Sequence, residues 1–114
     1  MSSLDDLTAR LRQFVAERDW QQFHDPKNLA MLLASEAGEL VAEYRFVPGA
    51  VSDAVSREPA ARARIADELA DVTIAVPLLA DRIDLDLARA VEDKIAKNAL
   101  RYPVEASRGR AERP

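Results

Sequence analysis

The sequence predicts an all-α fold, a bundle of four antiparallel helices, from three observations. Apolar residues recur at steps of three and four in four separate segments. Prolines and short acidic or hydroxyl residues stand where helices would begin. Only 5% of the residues are aromatic, and much of the 48% hydrophobic fraction is alanine, which favours close-packed helices over a sheet.

The first two helices are marked by their caps. Ser3 can cap a first helix that runs to about Asp19. After a short link, Asp25 suits an N-cap and Pro26 suits the first helical position. The second helix is expected to extend from there to about Arg45.

The chain after the second helix loses its helical pattern at Pro48 and Gly49. The weakly periodic segment through Ser56 is therefore predicted as a loop with at most a short turn of helix. Pro59 can open a third helix. Within it, Pro77 removes a backbone hydrogen bond and is expected to kink the helix or end its regular part early.

The last predicted helix is capped by Asp84 or Asp86 and must stop just before Pro103. We therefore predict one domain over residues 1–103. The polar tail, residues 104–114, is predicted to be disordered.

Composition excludes several classes of protein. No cysteine is present, which rules out disulfides and thiolate metal sites. The longest apolar stretch, residues 72–80, falls short of the roughly 20 residues of a membrane-spanning helix. The acidic start does not resemble a signal peptide, so a cytoplasmic location is predicted. A net charge of −4 disfavours a nucleic-acid-binding bundle, which needs a basic face.

Acidic residues fall within the apolar stripe of the second predicted helix. Glu36, Glu39 and Glu43 lie in this stripe or at its edge. An ionised carboxylate there is costly unless it is paired or binds a cation. The stripe itself consists of Leu29, Leu32, Leu33, Leu40 and Tyr44.

The third predicted helix carries a matching acidic pair, Glu68 and Asp71. Spacing of three residues puts both acids of a pair on one face, so two facing pairs can surround one small volume. Four carboxylates suit Mg²⁺ or Mn²⁺. Either pair alone would more often be a solvated face, and the prediction rests on the two together.

The fourth predicted helix supplies positive charge. Lys94, Asn98 and Arg101 lie within a narrow arc and could bind phosphate oxygens. A solvated basic helix end, favoured by the helix macrodipole, is the other interpretation.

Four segments together resemble the MazG-like, all-α nucleoside triphosphate pyrophosphatases, and within them the dCTP pyrophosphatase branch. The resemblance covers roughly residues 5–103 and keeps the order of the family's motifs. The segments are residues 17–29 (ERDWQQFHDPKNL), 36–40 (EAGEL), 67–72 (DELADV), and Lys94 through Asn98 to Arg101, Tyr102 and Pro103.

The resemblance implies roles for particular residues. Phe46 stands where that branch has a tryptophan, which leaves the base preference open. Trp20, taken alone, would more often be a core anchor, and its implied role depends on its linkage to the acidic motifs. The implied Mg²⁺ ligands and catalytic acids are Glu36, Glu39, Glu68 and Asp71. The implied substrate contacts are Trp20, His24, Phe46, Lys94, Asn98, Arg101 and Tyr102.

The resemblance also implies an activity. The expected reaction is Mg²⁺-dependent hydrolysis of dCTP or a related nucleotide to the monophosphate and pyrophosphate, with Mn²⁺ as a possible substitute. A homotetramer built as a pair of dimers is implied as well. Two alternatives stay open. One is a pyrophosphatase with another or a broad specificity, such as for dUTP; the other is a non-catalytic helical interaction module.

Overall fold

The structure is a computed structural model, and it describes residues 3–112. Within that range the regular structure is helical and includes no strand, so the all-α prediction is confirmed. The helices are α1 (Leu4–Glu17), α2 (Pro26–Ala42), α3 (Gly49–Arg57), α4 (Pro59–Arg82), α5 (Leu87–Arg101) and α6 (Val104–Ser107), with a short 3-10 helix over Gln21–Phe23. In the described part of the chain, every helix is too short or too polar to cross a membrane.

The chain divides into two compact units. The first, Met1–Asp84, contains α1 to α4, and the second, Leu85–Pro114, contains α5 and α6. In the first unit α4 packs against α1, α2 and α3. Its core includes Leu29 of α2, which is only 1% exposed, and Ile65 of α4. Leu29 belongs to the predicted apolar stripe of the second helix.

Three of the predicted helix starts are confirmed by side-chain caps, and α4 begins at Pro59 as predicted but without a side-chain cap. Ser3 and Asp25 each accept a hydrogen bond from the backbone N–H three residues later. Of the two candidates for the last long helix, Asp86 caps α5. α1 ends slightly before the predicted boundary. Asp19 has a φ of 52°, which lies outside the right-handed helical region, so the helix cannot continue through it.

The segment between α2 and α4 contains a helix of nine residues, α3, so the prediction of a loop is wrong for Gly49–Arg57. Serine is a residue type that favours loops, but two serines of this segment donate side-chain hydrogen bonds to backbone carbonyls within α3. Ser52 Oγ donates to Gly49 O at 2.8 Å, and Ser56 Oγ donates to Ser52 O at 2.7 Å. The hydroxyls of Ser56 and Tyr44 are also 2.7 Å apart. This contact joins α3 to the segment that follows α2. Such a tertiary contact can stabilise a helix whose sequence has only weak helical periodicity.

α4 continues for 24 residues through Pro77, so its regular part does not end early at the proline, and the alternative of a kink stays a prediction. Pro77 is buried, as are the small residues Ala75 and Ala80 on either side of it. Close packing around these residues stabilises the helix across the missing hydrogen bond.

The second unit contains the predicted tail. Its residues 104–112 are described, and they include the short helix α6, which follows Pro103 at the N-cap position. This helix lies within the segment that we predict to be disordered. Arg113 and Pro114, at the end of that segment, lie outside the described residues.

Candidate active site

Four carboxylates converge between α2 and α4. One oxygen atom from each acid lies within 4.8 Å of the corresponding atom of every other. The structure therefore brings together the two acidic pairs that the sequence analysis singled out. The acids are Glu36 and Glu39 on α2, and Glu68 and Asp71 on α4.

Two of these acids are poorly solvated. Glu36 and Glu68 are half-buried, and the Oε2 atom of each is buried without a hydrogen-bond partner. Burial is the main cause that raises the pKa of Glu36 above its ordinary value, followed by the charges of Glu39 and Asp71. Burial likewise raises the pKa of Glu68, followed by the charge of Glu39.

The donor set fits a divalent cation. A buried oxygen without a partner destabilises the fold, and close negative charges repel each other. A cation at the cluster would give Glu36 Oε2 and Glu68 Oε2 a partner and offset the repulsion. Carboxylate oxygens are the ligands that Mg²⁺ and Mn²⁺ prefer.

The acid Glu43 forms an ion pair beside the cluster. Arg64 Nε donates to Glu43 Oε2 at 3.2 Å and joins α4 to the end of α2. Sequence reasoning left the role of Glu43 open and missed Arg64. The available signal was the position of Arg64, one helical turn before Glu68 and opposite in charge.

An apolar cavity of about 490 Å³ lies between α1, α2 and α4. Trp20 and His24 line it, and their ring centroids are 6.5 Å apart. Trp20 is 42% exposed and packs edge-on against Phe14 of α1, so it is not a core anchor. Another lining residue, Leu32, precedes Glu36 by one turn of α2, which places the cavity next to the acidic cluster.

Phe46 does not line this cavity. Its side chain is 85% exposed, and the guanidinium of Arg45 lies over its ring at 4.7 Å. The structure thus groups Trp20 and His24 around one space and leaves Phe46 outside it. Three leucines of α1, Leu4, Leu7 and Leu11, also line the cavity.

The remaining predicted contacts lie in the second unit. Lys94, Asn98 and Arg101 follow one face of α5 at steps of four and three residues. Tyr102 follows the helix and donates its backbone N–H to Asn98 O at 2.8 Å. The Arg101 guanidinium lies 5.4 Å from the Tyr102 ring centroid.

Comparisons with known proteins identify the family. The MazG-like family model matches residues 37–113, a range that includes three of the four acids. The chain is 42% identical over 96% of its length to dCTP pyrophosphatase 1 of Rattus norvegicus, and 38% identical over 93% to that of Homo sapiens. It spans 64% and 62% of those proteins. A pyrophosphatase crystal structure from Archaeoglobus fulgidus is 30% identical, with a TM-score of 0.78, covering 90% of this chain and 94% of that one. The chain belongs to the MazG-like family.

Proposed function

We propose that the chain is a divalent-cation-dependent nucleoside triphosphate pyrophosphohydrolase. Its substrate is dCTP or a related nucleotide, and its products are the monophosphate and pyrophosphate. The observation that carries this proposal is the convergence of four carboxylates with two buried, unpartnered oxygens. Mg²⁺ is the proposed cation, and Mn²⁺ is a substitute with the same ligand preference.

The proposed reaction breaks the bond between the α- and β-phosphates. A water molecule attacks the α-phosphorus, the bridging electron pair leaves with pyrophosphate, and one proton is released. When bound, divalent cations polarise phosphoryl oxygens and neutralise charge on the leaving group. The four acids would hold these cations, and one of Glu36 and Glu39 would also orient the attacking water.

The apolar cavity is the proposed site for the base and sugar. Its volume of about 490 Å³ is in the range of small-molecule sites. Trp20 offers an aromatic face for a base, and the His24 ring offers hydrogen-bonding nitrogens. Leu32 on the cavity wall, one turn from Glu36, would bring a bound nucleotide's phosphates toward the acids. Phe46 is proposed to stack on a base only if a neighbouring chain completes the site.

Phosphate contacts are proposed for the polar face of α5. Lys94 and Arg101 carry positive charge, and Asn98 and Tyr102 carry hydrogen-bond donors. These groups could neutralise phosphate oxygens that the cations do not reach.

A homotetramer, assembled as a pair of dimers, is the proposed assembly. The first unit exposes large apolar side chains, including Met31 at 60%, Val41 at 64% and Phe46 at 85%. Burying such residues between chains removes apolar surface from water. Multi-angle light scattering checks the mass. A stable monomer at working concentration would contradict the proposed assembly.

The proposed role is the removal of unwanted nucleotides from the triphosphate pool. A cytoplasmic location and the absence of a polymeric nucleic-acid partner stay predictions of the sequence. The non-catalytic alternative is disfavoured because such a module has no need to hold four acids together.

The test is a nucleotide panel with and without Mg²⁺. The chain is incubated with dCTP, a 5-substituted dCTP, dUTP and the other common triphosphates, and pyrophosphate is detected. We expect pyrophosphate and monophosphate only with the cation, most rapidly from a cytosine nucleotide. A preference for dUTP would support the alternative of a pyrophosphatase with another specificity. No turnover of any nucleotide would overturn the enzyme proposal.

A further inference from the structure

We propose that the Glu43–Arg64 ion pair positions the acidic helices for cation binding. The inference rests on the proposed function and assigns a role to two residues outside the four carboxylates. Arg64 Nε and Glu43 Oε2 are 3.2 Å apart, and the pair joins the same two helices that carry the acids. We call both positioning residues, because they would act through Glu39 and Glu68.

The pair lies one turn from the cluster on both helices. Glu43 follows Glu39 by four residues, and Arg64 precedes Glu68 by four residues. One helical turn rises about 5.4 Å along the axis. Any change in the separation of α2 and α4 at the ion pair is therefore transmitted directly to the facing carboxylates.

The cluster needs an attractive contact of this kind. Four carboxylates within 4.8 Å repel each other, and the repulsion pushes α2 and α4 apart. Regular α2 ends at Ala42, just before Glu43, so the last turn of α2 is not followed by further turns of the same helix. The opposite charges of Glu43 and Arg64 pull that end back toward α4.

Partial burial makes this pair more effective than an ordinary surface pair. The Glu43 side chain is 22% exposed and that of Arg64 is 59% exposed. The pair Asp53–Arg57, within α3, has side chains that are 96% and 70% exposed. Exposed pairs contribute little, whereas reduced solvent screening strengthens the attraction.

A direct ligand role for Glu43 fits less well. Its carboxylate is not among the four that lie within 4.8 Å of one another. One of its oxygens already accepts the hydrogen bond from Arg64. Partners that orient metal ligands from outside the coordination shell typically change metal affinity about 10- to 100-fold when they are mutated.

The test measures cation binding without any substrate. Mn²⁺ is titrated into the full chain and the free ion is followed by electron paramagnetic resonance, at a temperature where circular dichroism shows each variant folded. We expect Glu43→Gln and Arg64→Gln each to weaken Mn²⁺ binding about 10-fold. The matched control is Arg57→Gln, which removes the same charge from a pair within one helix and should bind Mn²⁺ like the unmodified chain.

A charge-swapped chain separates positioning from general stability. Glu43→Arg combined with Arg64→Glu restores an ion pair across the same helices. We expect its Mn²⁺ affinity to exceed that of either single reversal, even if a single reversal unfolds the chain. At saturating Mn²⁺, the Gln variants should keep the KM for nucleotide.

Two outcomes would overturn the inference. One is Mn²⁺ affinity in both Gln variants within twofold of the unmodified chain. The other is a swapped double variant whose Mn²⁺ affinity does not exceed that of both single reversals. Failure of the proposed function looks different, because then the unmodified chain itself would bind no Mn²⁺ or would turn over no nucleotide.

Discussion

Glu36 on α2 and Glu68 on α4 each bury a carboxylate oxygen that has no hydrogen-bond partner, and ligand atoms of the two residues lie within 4.8 Å of each other. This arrangement raises the pKa of both groups, with burial as the first cause and neighbouring carboxylates as the next. Two ionised groups in this position destabilise the metal-free fold. A divalent cation would turn the repulsion between the ionised carboxylates into attraction to the cation, so the same residues link stability to cofactor binding.

Removing one acid should abolish turnover without unfolding the chain. We expect Glu39→Gln to lower the cation-dependent rate at least about 100-fold. A bound cation contributes several kcal/mol of transition-state stabilisation, and each tenfold change in rate corresponds to about 1.4 kcal/mol. Pyrophosphate release and circular dichroism give the two readouts. Glu58→Gln, an exposed acid outside the cluster, is the control. Near-normal activity of Glu39→Gln would remove this residue from the metal site.

The pH dependence of stability should report on the cluster. The pKa values of Glu36 and Glu68 are raised above 4.5. Their contribution to stability is therefore full below pH 4.5 and is lost as pH rises through the raised values. In EDTA, we expect the melting temperature of the unmodified chain to fall over this range relative to a Glu36→Gln, Glu68→Gln double variant.

Added Mg²⁺ should reverse this effect near neutral pH in the unmodified chain only. The measurement is thermal unfolding at a series of pH values, with and without the cation. A difference in melting temperature between the two chains that stays constant with pH would show that folding does not raise the pKa values of Glu36 and Glu68.

The ion pair between α1 and α4 should show the opposite pH response. Arg12 Nη2 donates to Asp81 Oδ1 at 2.6 Å, and this bond lowers the pKa of Asp81 below 3.8. The contribution of Asp81 is present above pH 3.8 and is lost as pH falls through the lowered value. We expect Asp81→Asn to lower the melting temperature by a few degrees at neutral pH, a small effect because the Arg12 side chain is 60% exposed.

The double-mutant cycle with Arg12→Gln checks this assignment. Once either partner is replaced, replacing the other should cost almost nothing. Equal, additive losses from the two substitutions would mean that the residues act independently. The loss in Asp81→Asn should also disappear in strong acid.

The aromatic wall of the cavity should control nucleotide binding. We expect Trp20→Ala to raise the KM for the preferred nucleotide about 5- to 150-fold, because stacking a base on an aromatic ring contributes about 1–3 kcal/mol. The change in kcat should be smaller. Phe23→Ala, on the same segment but outside the cavity lining, is the matched control. A similar KM for both variants would exclude the cavity as the base site.

Features that depend on local chemistry were visible in the sequence. Ser3 and Asp25 mark helix starts because capping involves only the next three residues. The acidic pairs were visible because carboxylates within apolar stripes are costly. Their actual convergence needed two helices to face each other, which spacing suggests and only packing determines.

Features that depend on tertiary contacts were not visible. α3 forms despite its weak periodicity because it is held through the Tyr44–Ser56 hydrogen bond. Pro77 remains inside α4 because its surroundings are close-packed. The positioning residue Arg64 looks like any surface arginine until α2 brings Glu43 beside it.

Anomalous diffraction from crystals grown with Mn²⁺ tests the central claim most directly. We predict an anomalous peak between α2 and α4, within coordination distance of oxygens from Glu36, Glu39, Glu68 and Asp71. Crystals in which the peak is absent there, with the four carboxylates turned into solvent, would contradict the metal centre and the pyrophosphohydrolase assignment built on it.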